Sequence, residues 1–326
     1  MDTIDLEFWM TNLPKQLRQT PLIHLAIPGS HDSMTSSITK SSKLAPDAEI
    51  ILRRLNWMGP ILRSFICRWC KTQDLDADRQ LKHGIRYFDL RVATKPGCVY
   101  PYFVHGLYGD EVTSALSDIH NFVDAHPKEV IILDFQHFYA FTQESHRNLI
   151  TLIDTIFKDQ LVPSFRNMED LTLDFMTVNN KFQVMVIYRS HYANDHPFLW
   201  KSFTFPTPWP ETTRLSELLQ KLNIGLERRI PTVAYVSQFL LTPTSWFVFK
   251  NIFSTLKQKC VIPFHQTKCE WIRSQNIGKH GVNVIISDFI DLENDEFVLE
   301  IIKLNFKFMG PDFSRLPVTG LTKVSE

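Results

Sequence analysis

Side chains able to move protons and to hold a phosphate group stand where three predicted strands end. His31 and Asp32 follow the first short apolar run. Asp89 and Arg91 end a second run, and His105 ends a third. Two histidines can divide the acid and base roles near neutral pH, and the planar guanidinium of an arginine matches phosphoryl oxygens. The pattern indicates general acid–base attack on a phosphodiester.

Short apolar, β-rich runs alternate with amphipathic stretches along the chain. The predicted strands are 22–27, 85–92, 102–105, 129–135, 182–188, 232–241 and 282–288, with a weaker one near 202–206. The predicted helices are 74–82, 112–125, 143–158, 213–222, 245–258, 268–276 and 293–304. Strands alternating with helices indicate βαβ units and a parallel sheet. About eight such units predict an α/β fold of the TIM-type (β/α)8 barrel kind, either regular or distorted and incompletely closed.

A barrel would bring the chemically capable residues together although they are distant in sequence. The active site of such a barrel gathers where strands end and the following loops begin. Asp288 ends the last predicted strand, which lies beside strand 1 in a closed barrel. We therefore expect His31, His105 and Asp288 on one rim of the barrel.

The overall composition excludes some classes of function. The chain has 326 residues with 35 basic and 35 acidic side chains, so no net charge attracts it to nucleic acid. No apolar run reaches membrane-spanning length, and the acidic start of the chain is unlike a secretory signal. Cys67 and Cys70 form an isolated CxxC that we interpret as ordinary thiols. These features predict a cytoplasmic protein.

The chain shows no Gly/Ser-rich linker and no low-complexity segment that would separate two domains. One domain is therefore the simplest interpretation. We predict an N-terminal extension over 1–20, a catalytic barrel over 21–308 and a C-terminal tail over 309–326.

Four motifs carry a family resemblance. IPGSHDS, GIRYFDLR, FVHG and ISDFI resemble the X domain of phosphatidylinositol-specific phospholipase C. The match is closest to the small stand-alone animal proteins called PI-PLC X domain-containing proteins, and it runs from about residue 21 to 308. The resemblance implies a phosphoric diester hydrolase that cleaves phosphatidylinositol, or a phosphoinositide, to diacylglycerol and inositol phosphate.

The resemblance also implies roles for the catalytic residues. His31 would be the general base on the inositol 2-hydroxyl, and His105 the general acid for the diacylglycerol oxygen. Arg91 would clamp the phosphoryl group. Asp288 would orient His31, while Asp32 would orient His105 and hold Arg91.

The calcium-dependent members of the family place acidic ligands where this chain has a guanidinium. A hard divalent ion needs several anionic oxygens, and Arg91 stands at one of those positions. The pattern is similar to the bacterial enzymes in which arginine replaces the metal, so we expect no metal and no other cofactor. Asp89 would fix this arginine. Arg189 matches a bacterial substrate-binding arginine or is an exposed strand-end charge, while Gln136 stands where the bacterial pattern has a lysine.

The segment Ile50–Gln73 combines basic and aromatic residues without any acidic one. Arg53, Arg54, Trp57 and Trp69 belong to it, and it lies in the first βα connection on the expected catalytic rim. Such a mixture suits peripheral contact with an anionic membrane. The alternative is a pair of amphipathic helices that caps the barrel.

Two other functions compete with the phospholipase. The first is a phosphoinositide-binding or scaffold protein on a catalytically weak or inactive barrel. Gln136 favours this alternative, because the bacterial pattern has a lysine at that position. A phosphodiesterase acting on glycerophosphodiesters is the other, but its usual acidic metal ligands are not found. We therefore predict phosphatidylinositol or a phosphoinositide lipid as the partner, with no nucleic acid bound and no transmembrane segment. The sequence does not indicate the oligomeric state.

Overall fold

Short strands, most of them parallel, form one curved sheet. The computed structural model describes residues 4–48 and 59–307. The strands in these residues are β1 Ile27–Ser30, β2 Tyr87–Ala93, β3 Tyr102–His105, β4 Leu107–Glu111, β5 Ile131–Tyr139, β6 Val184–Tyr188, β7 Leu199–Trp200, β8 Val236–Gln238 and β9 Val284–Ser287.

The strand order shows a barrel that is not fully closed. The sheet runs β7-β6-β5-β2-β1-β9-β8, and neighbours along this path pair in parallel. Within the described residues the end strands β7 and β8 do not pair with each other. An irregular segment covers this seam, where Thr204 and Pro206 accept hydrogen bonds from the backbone of 234 and 236. The predicted TIM-type barrel is therefore confirmed in its distorted, incompletely closed form.

Helices cover the outside of the sheet. They are α1 Lys15–Arg18, α2 Pro60–Cys70, α3 Ala77–Lys82, α4 Val112–Ala125, α5 Gln143–Phe157, α6 Leu173–Thr177, α7 Leu215–Glu227, α8 Ser245–Lys250, α9 His265–Ser274 and α10 Glu296–Phe306. The helix predicted over 112–125 is confirmed by α4, and that over 143–158 by α5. The helix predicted over 245–258 is too long, because α8 ends at Lys250 and a π-helical turn follows at Lys257–Val261.

Two strand predictions need correction in position. The predicted strand over 22–27 contains the 3-10 turn Leu22–His24, and β1 begins only at Ile27. The side chain of Asn283 donates to two carbonyl oxygens of this segment at 3.0 and 2.8 Å, in the place of a neighbouring strand. The weak strand expected near 202–206 is also displaced, since the pairing residues are those of β7.

The third predicted strand, β3, does not belong to the parallel barrel. It pairs antiparallel with β2 on one side and with β4 on the other. β3 and β4 therefore form a hairpin attached to the end of β2, and the next barrel strand is β5. An apolar run of this length indicates a strand but does not indicate its direction.

The N-terminal residues 4–20, predicted as an extension, pack into the core at one end of the barrel. Trp9, Met10 and Leu13 are buried in the main hydrophobic cluster. The indole Nε1 of Trp9 donates to the carbonyl oxygen of Gly84 at 2.9 Å, immediately before β2. This segment closes the end where the parallel strands begin.

A buried ion pair holds the same end together. Arg86 precedes β2, and its Nη2 lies 2.8 Å from Oε2 of Glu129, which precedes β5. The backbone N–H of Thr11 donates to the same carboxylate at 2.8 Å, so the N-terminal segment shares the pair. Buried charges are tolerated in proteins when they are paired and hydrogen-bonded in this way.

We expect Trp9→Ala to lower the free energy of unfolding by about 3–5 kcal/mol, because the truncation leaves a large cavity and an unpaired carbonyl. Chemical denaturation followed by circular dichroism measures this change. Trp246→Ala is the matched control, since that indole is 62% exposed while Trp9 is 2% exposed. We expect the control to change the free energy by no more than about 0.5 kcal/mol. Equal effects of the two substitutions would contradict a structural role for the N-terminal segment.

Candidate active site

His31 lies directly after β1, and the backbone of this strand is tightly enclosed at Gly29. A Cβ atom on Gly29 would lie 2.8 Å from the side chain of Ile286 and 2.9 Å from that of Tyr87, so only glycine fits between β2 and β9. β1 ends directly afterwards, and Asp32 turns the chain with a left-handed φ of 39°. The sequence thereby presents the His31 imidazole at the carboxyl end of the central strands.

The His31 ring is held through Nδ1 and faces the site through Nε2. Its Nδ1 lies 2.7 Å from Oδ1 of Asp288, which follows β9 as predicted. Arg91 Nη2 lies 3.2 Å from Nε2 and can donate to it only while the ring is neutral, whereas Asp32 Oδ2, at 3.4 Å, attracts a proton to the same atom. Burial lowers the pKa of His31, but the carboxylates of Asp32 and Asp288 outweigh it and raise the pKa to about 9.

Asp32 links the two histidines to the arginine. Its Oδ1 forms an ion pair with Arg91 Nε at 2.5 Å, and its Oδ2 lies 3.3 Å from Nε2 of His105. Burial raises the pKa of this carboxyl, but Arg91 and His105 outweigh it and lower the pKa to about 2. Arg91 also lies against the Trp209 ring, with Cζ 5.4 Å from the ring centroid.

His105 reaches the site from the β3–β4 hairpin and not from the end of a parallel barrel strand, which corrects the prediction of its position. Its Nδ1 donates to the carbonyl oxygen of Cys70 at 2.7 Å, so Nε2 faces Asp32. The His31 and His105 rings lie 6.4 Å apart between centroids. Both rings turn Nε2 toward Asp32 Oδ2, which lies 3.4 Å from Nε2 of His31 and 3.3 Å from Nε2 of His105.

Asp89 contacts the loop that follows β1. Its Oδ2 accepts a hydrogen bond from the backbone N–H of Asp32 at 3.3 Å and lies 3.8 Å from Nε2 of His31. Arg91 forms its ion pair with Asp32, and the charges of Asp89 and Arg91 also attract each other, so Asp89 supports the loop after β1 and its hold on the arginine stays a prediction. Burial raises the pKa of Asp89 to about 6.

Three of these side chains could in principle ligate a metal ion. The ligand atoms of His31, Asp32 and Asp89 all lie within 4.8 Å of one another. The guanidinium of Arg91 contacts two of the three, His31 and Asp32, and so already places a positive charge at this position.

The two predicted substrate-binding residues lie together, but both contact a carboxylate that the sequence did not single out. Arg189 Nε and Nη2 donate to the two oxygens of Asp134 at 2.8 and 2.7 Å. Gln136 Nε2 donates to Asp134 at 3.2 Å and to the Tyr87 hydroxyl at 3.3 Å. The Arg189 side chain is 15% exposed, so the alternative of an exposed strand-end charge is wrong.

Asp47 is another residue that sequence reasoning missed. Its Oδ2 accepts a hydrogen bond from the backbone N–H of Gly106 at 2.6 Å, next to His105. Burial raises the pKa of this carboxyl. Asp47 lies in the long connection after β1 without any motif around it, so no sequence signal pointed to it.

The predicted membrane segment is only partly described. Arg53, Arg54 and Trp57 lie outside the described residues. Trp69 is 7% exposed on α2 and packs edge-on against Phe247, with ring centroids 6.2 Å apart. Its ring is part of the packing between α2 and α8, so the prediction that Trp69 contacts a membrane is wrong.

Exposed aromatic side chains lie instead on and after α8, in the connection that follows β8. Trp246, Phe249 and Phe253 are 62%, 63% and 92% exposed. Trp246 and Phe249 stack with centroids 5.6 Å apart, and Lys250 Nζ lies 5.0 Å from the Trp246 ring centroid. No helix among the described residues has the length and apolarity needed to cross a bilayer.

Solved bacterial structures share this fold. The phosphatidylinositol-specific phospholipase C of Listeria monocytogenes superposes with a TM-score of 0.63 at 16% identity, over 92% of this chain and 99% of that one. A fluorinated variant of the Staphylococcus aureus enzyme of the same name gives a TM-score of 0.64 at 18% identity, over 92% and 98%. No protein-family model matches the chain.

Curated relatives are similar over almost the whole chain. PI-PLC X domain-containing protein 2 of Mus musculus is 38% identical over 300 residues, which are 91% of this chain and 87% of the relative. PI-PLC X domain-containing protein 3 of Homo sapiens is 35% identical over 94% of this chain and 95% of the relative. For human PI-PLC X domain-containing protein 1 the identity is 32%, over 93% of each chain. With identities of this size along its length, the chain belongs to the PI-PLC X domain-containing proteins.

Proposed function

We propose that the protein is a phospholipase C-type phosphodiesterase that cleaves phosphatidylinositol, or a phosphoinositide, to diacylglycerol and inositol phosphate. The observation that carries the proposal is the buried Asp32 carboxylate, which contacts both histidines and Arg91 on one rim. The proposed substrate class is supported by the names of the similar bacterial structures, which are phosphatidylinositol-specific phospholipases C.

The reaction assigns one proton transfer to each histidine. In its neutral form, whose population grows as the pH approaches the His31 pKa of about 9, His31 Nε2 takes the proton of the inositol 2-hydroxyl, and Asp288 at Nδ1 stabilises the imidazolium that forms. The hydroxyl oxygen then attacks phosphorus while the guanidinium of Arg91 stabilises the charge that develops on the phosphoryl oxygens. His105 Nε2 gives its proton to the departing diacylglycerol oxygen.

We further propose that catalysis is independent of a metal ion. Arg91 supplies a fixed positive charge beside His31 and Asp32, two of the three residues that could otherwise ligate a divalent ion. Its planar fork offers two parallel donors to a phosphate, which a point charge does not.

We also propose that the rim docks peripherally on an anionic membrane. α8 packs against α2 through Phe247 and Trp69, and α2 supplies the Cys70 carbonyl that holds His105. The exposed aromatics of α8 therefore lie on the same rim as the site. Arg53, Arg54 and Trp57 of the connection after β1 would add basic and aromatic groups to the same contact.

A binding or scaffold function is the second candidate. The observation that favours it is the ion pair between Arg189 and Asp134. Because Nε and Nη2 of Arg189 both donate to this carboxylate, they are not free to bind a substrate phosphate. With glutamine at position 136, the substrate-binding side of the site offers less free positive charge than the bacterial pattern. Tight lipid binding without any turnover would identify this function.

We expect His31→Ala and His105→Ala each to lower phosphatidylinositol cleavage by about 10²–10⁴-fold, because each removes a proton-transfer group. Phosphorus NMR of the products from mixed phosphoinositide vesicles measures the cleavage. His280→Ala is the matched control, since His280 is exposed and precedes β9, whereas Asp288 of the site follows that strand. Activity within a few-fold of wild type in both active-site variants would remove the acid–base assignment.

We expect cleavage to continue in EDTA, and Arg91→Lys to lower kcat/KM by about 10²–10³-fold because lysine cannot reproduce the two-pronged contact. Assays with and without EDTA or calcium measure the first effect. Arg79→Lys, a change at an exposed ion pair on α3, is the control for the substitution itself. Activity that disappears in EDTA and returns with calcium would show that the arginine does not replace a metal.

We expect the combined substitution of Trp246, Phe249 and Phe253 by alanine to weaken binding to anionic vesicles by about tenfold or more. Burying one such side chain contributes about 1.5–3 kcal/mol, and about 1.4 kcal/mol is a factor of ten. Vesicle sedimentation measures the binding, and hydrolysis of a soluble short-chain substrate should be unchanged.

The control for that experiment removes exposed apolar side chains from the opposite face. Val178 and Ile230, which are 62% and 60% exposed, lie in loops that precede β6 and β8. Their replacement by alanine should leave vesicle binding unchanged. If both sets weaken binding equally, or neither does, α8 is not the docking surface.

A further inference from the structure

A histidine, a cysteine and a glutamate that the proposed reaction does not use lie together between α9 and α10. His265 and Cys269 are both buried on α9, and Glu296 is the first residue of α10. Positions four apart on a helix share a face, so the imidazole and the thiol lie on the same side of α9. The ligand atoms of the three side chains all lie within 4.8 Å of one another.

The distances between these ligand atoms fit a tetrahedral zinc ion. Cys269 Sγ lies 3.7 Å from Nε2 of His265, and the same Nε2 lies 3.1 Å from Oε2 of Glu296. Zinc bonds of about 2.0–2.1 Å to nitrogen and oxygen and about 2.3 Å to sulfur, at tetrahedral angles, separate nitrogen from sulfur by about 3.6 Å and nitrogen from oxygen by about 3.4 Å. These two distances therefore need to change by only a few tenths of an ångström.

The donor set favours zinc over calcium and magnesium. Imidazole nitrogen and thiolate sulfur are ligands of zinc, whereas the two harder ions prefer oxygen. A thiolate and a carboxylate balance the two positive charges of the ion, and the proton of the thiol leaves to solvent as the metal binds. The ion and a water molecule at its fourth position have access from the side of Glu296, whose side chain is 28% exposed.

The groups around the cluster are compatible with an ion there. Arg273 Nη2 donates to Oε1 of Glu296 at 2.5 Å, which leaves Oε2 to face His265. Lys268, the next cation along α9, donates to the Ser287 hydroxyl at 2.9 Å. Nδ1 of His265 is buried and has no hydrogen-bond partner among the described residues. Because no hydrogen bond holds the ring at Nδ1, it can adjust to an ion at Nε2 without losing a contact on that side.

We propose that His265, Cys269 and Glu296 form a zinc site that joins α9 to α10. The ion is bound by Nε2, Sγ and Oε2, with water at the fourth position. The three ligands share no residue with the candidate active site, so the inference goes beyond the proposed function and does not depend on it. The proposal of metal-independent catalysis rests on Arg91 and is unaffected.

The test is zinc binding by the full chain, purified without a chelator. Mass spectrometry of the metal content measures bound zinc, and calorimetric titration with zinc chloride measures the affinity. We expect about one zinc ion per chain. We expect Cys269→Ser and Glu296→Gln each to weaken binding by about 100-fold or more, since the loss of even an outer partner of a metal site costs about 10–100-fold. Glu270→Gln is the matched control and should leave binding unchanged, because Glu270 is exposed on the same helix and contacts Gln266.

The cysteines outside the cluster provide a competing set of zinc ligands. Cys67 and Cys70 form a CxxC, and Cys98 is exposed. Replacement of these three cysteines by serine should leave zinc binding unchanged. If that variant loses zinc while Cys269→Ser keeps it, the ion binds elsewhere and the proposal is wrong. A wild-type protein that binds no zinc overturns the proposal as well.

The serine substitution of Cys269 is at a fully buried position, so a second measurement covers the case in which that variant does not fold. The variant without the three other cysteines is loaded with cobalt in place of zinc. A cobalt ion bound by the Cys269 thiolate produces a charge-transfer band in the near ultraviolet, which excess zinc should abolish. Absence of this band also overturns the proposal. None of these readouts needs turnover, so a protein without phospholipase activity leaves the test intact.

Discussion

The ion pair between Asp32 and Arg91 is the contact on which the rest of the site depends. A buried carboxylate without partners costs several kcal/mol, so the folded protein must place the partners of Asp32 around it at the same time. They come from the end of β1, from β2 and from the β3–β4 hairpin. The tight passage of Gly29 between its neighbouring strands and the left-handed turn at Asp32 are the local features that allow this convergence.

The segment around strand β2 places one paired arginine at each end of the barrel. Arg86 pairs with Glu129 where the parallel strands begin, and Arg91 pairs with Asp32 where they end. The first pair joins the N-terminal segment to the barrel, and the second holds the candidate site together. One motif, GIRYFDLR, therefore contributes to stability and to the site through residues of the same type.

The sequence predicted the parts of the structure that depend on periodicity and strand order. Asp288 meets His31 because β9 pairs with β1, as a barrel requires. The antiparallel direction of β3 could not be predicted from the sequence, because it depends on the pairing partners of the strand and not on its local residue pattern. Asp47 and Asp134 were missed because an isolated acid becomes informative only when its partner is known. The prediction for Trp69 was wrong because the sequence of an amphipathic helix does not indicate whether its apolar face packs against another helix or contacts a membrane.

The seam between β7 and β8 has a consequence for how this barrel can vary. In a closed barrel the circumference is set by the number of strands and their stagger. A change in the position of one strand therefore alters the packing of all the others. Here an irregular segment crosses the seam, and the strands that carry the site, β9, β1 and β2, lie well inside the sheet. Insertions or deletions in that segment can therefore reshape the mouth of the barrel while the spacing of its central strands is preserved.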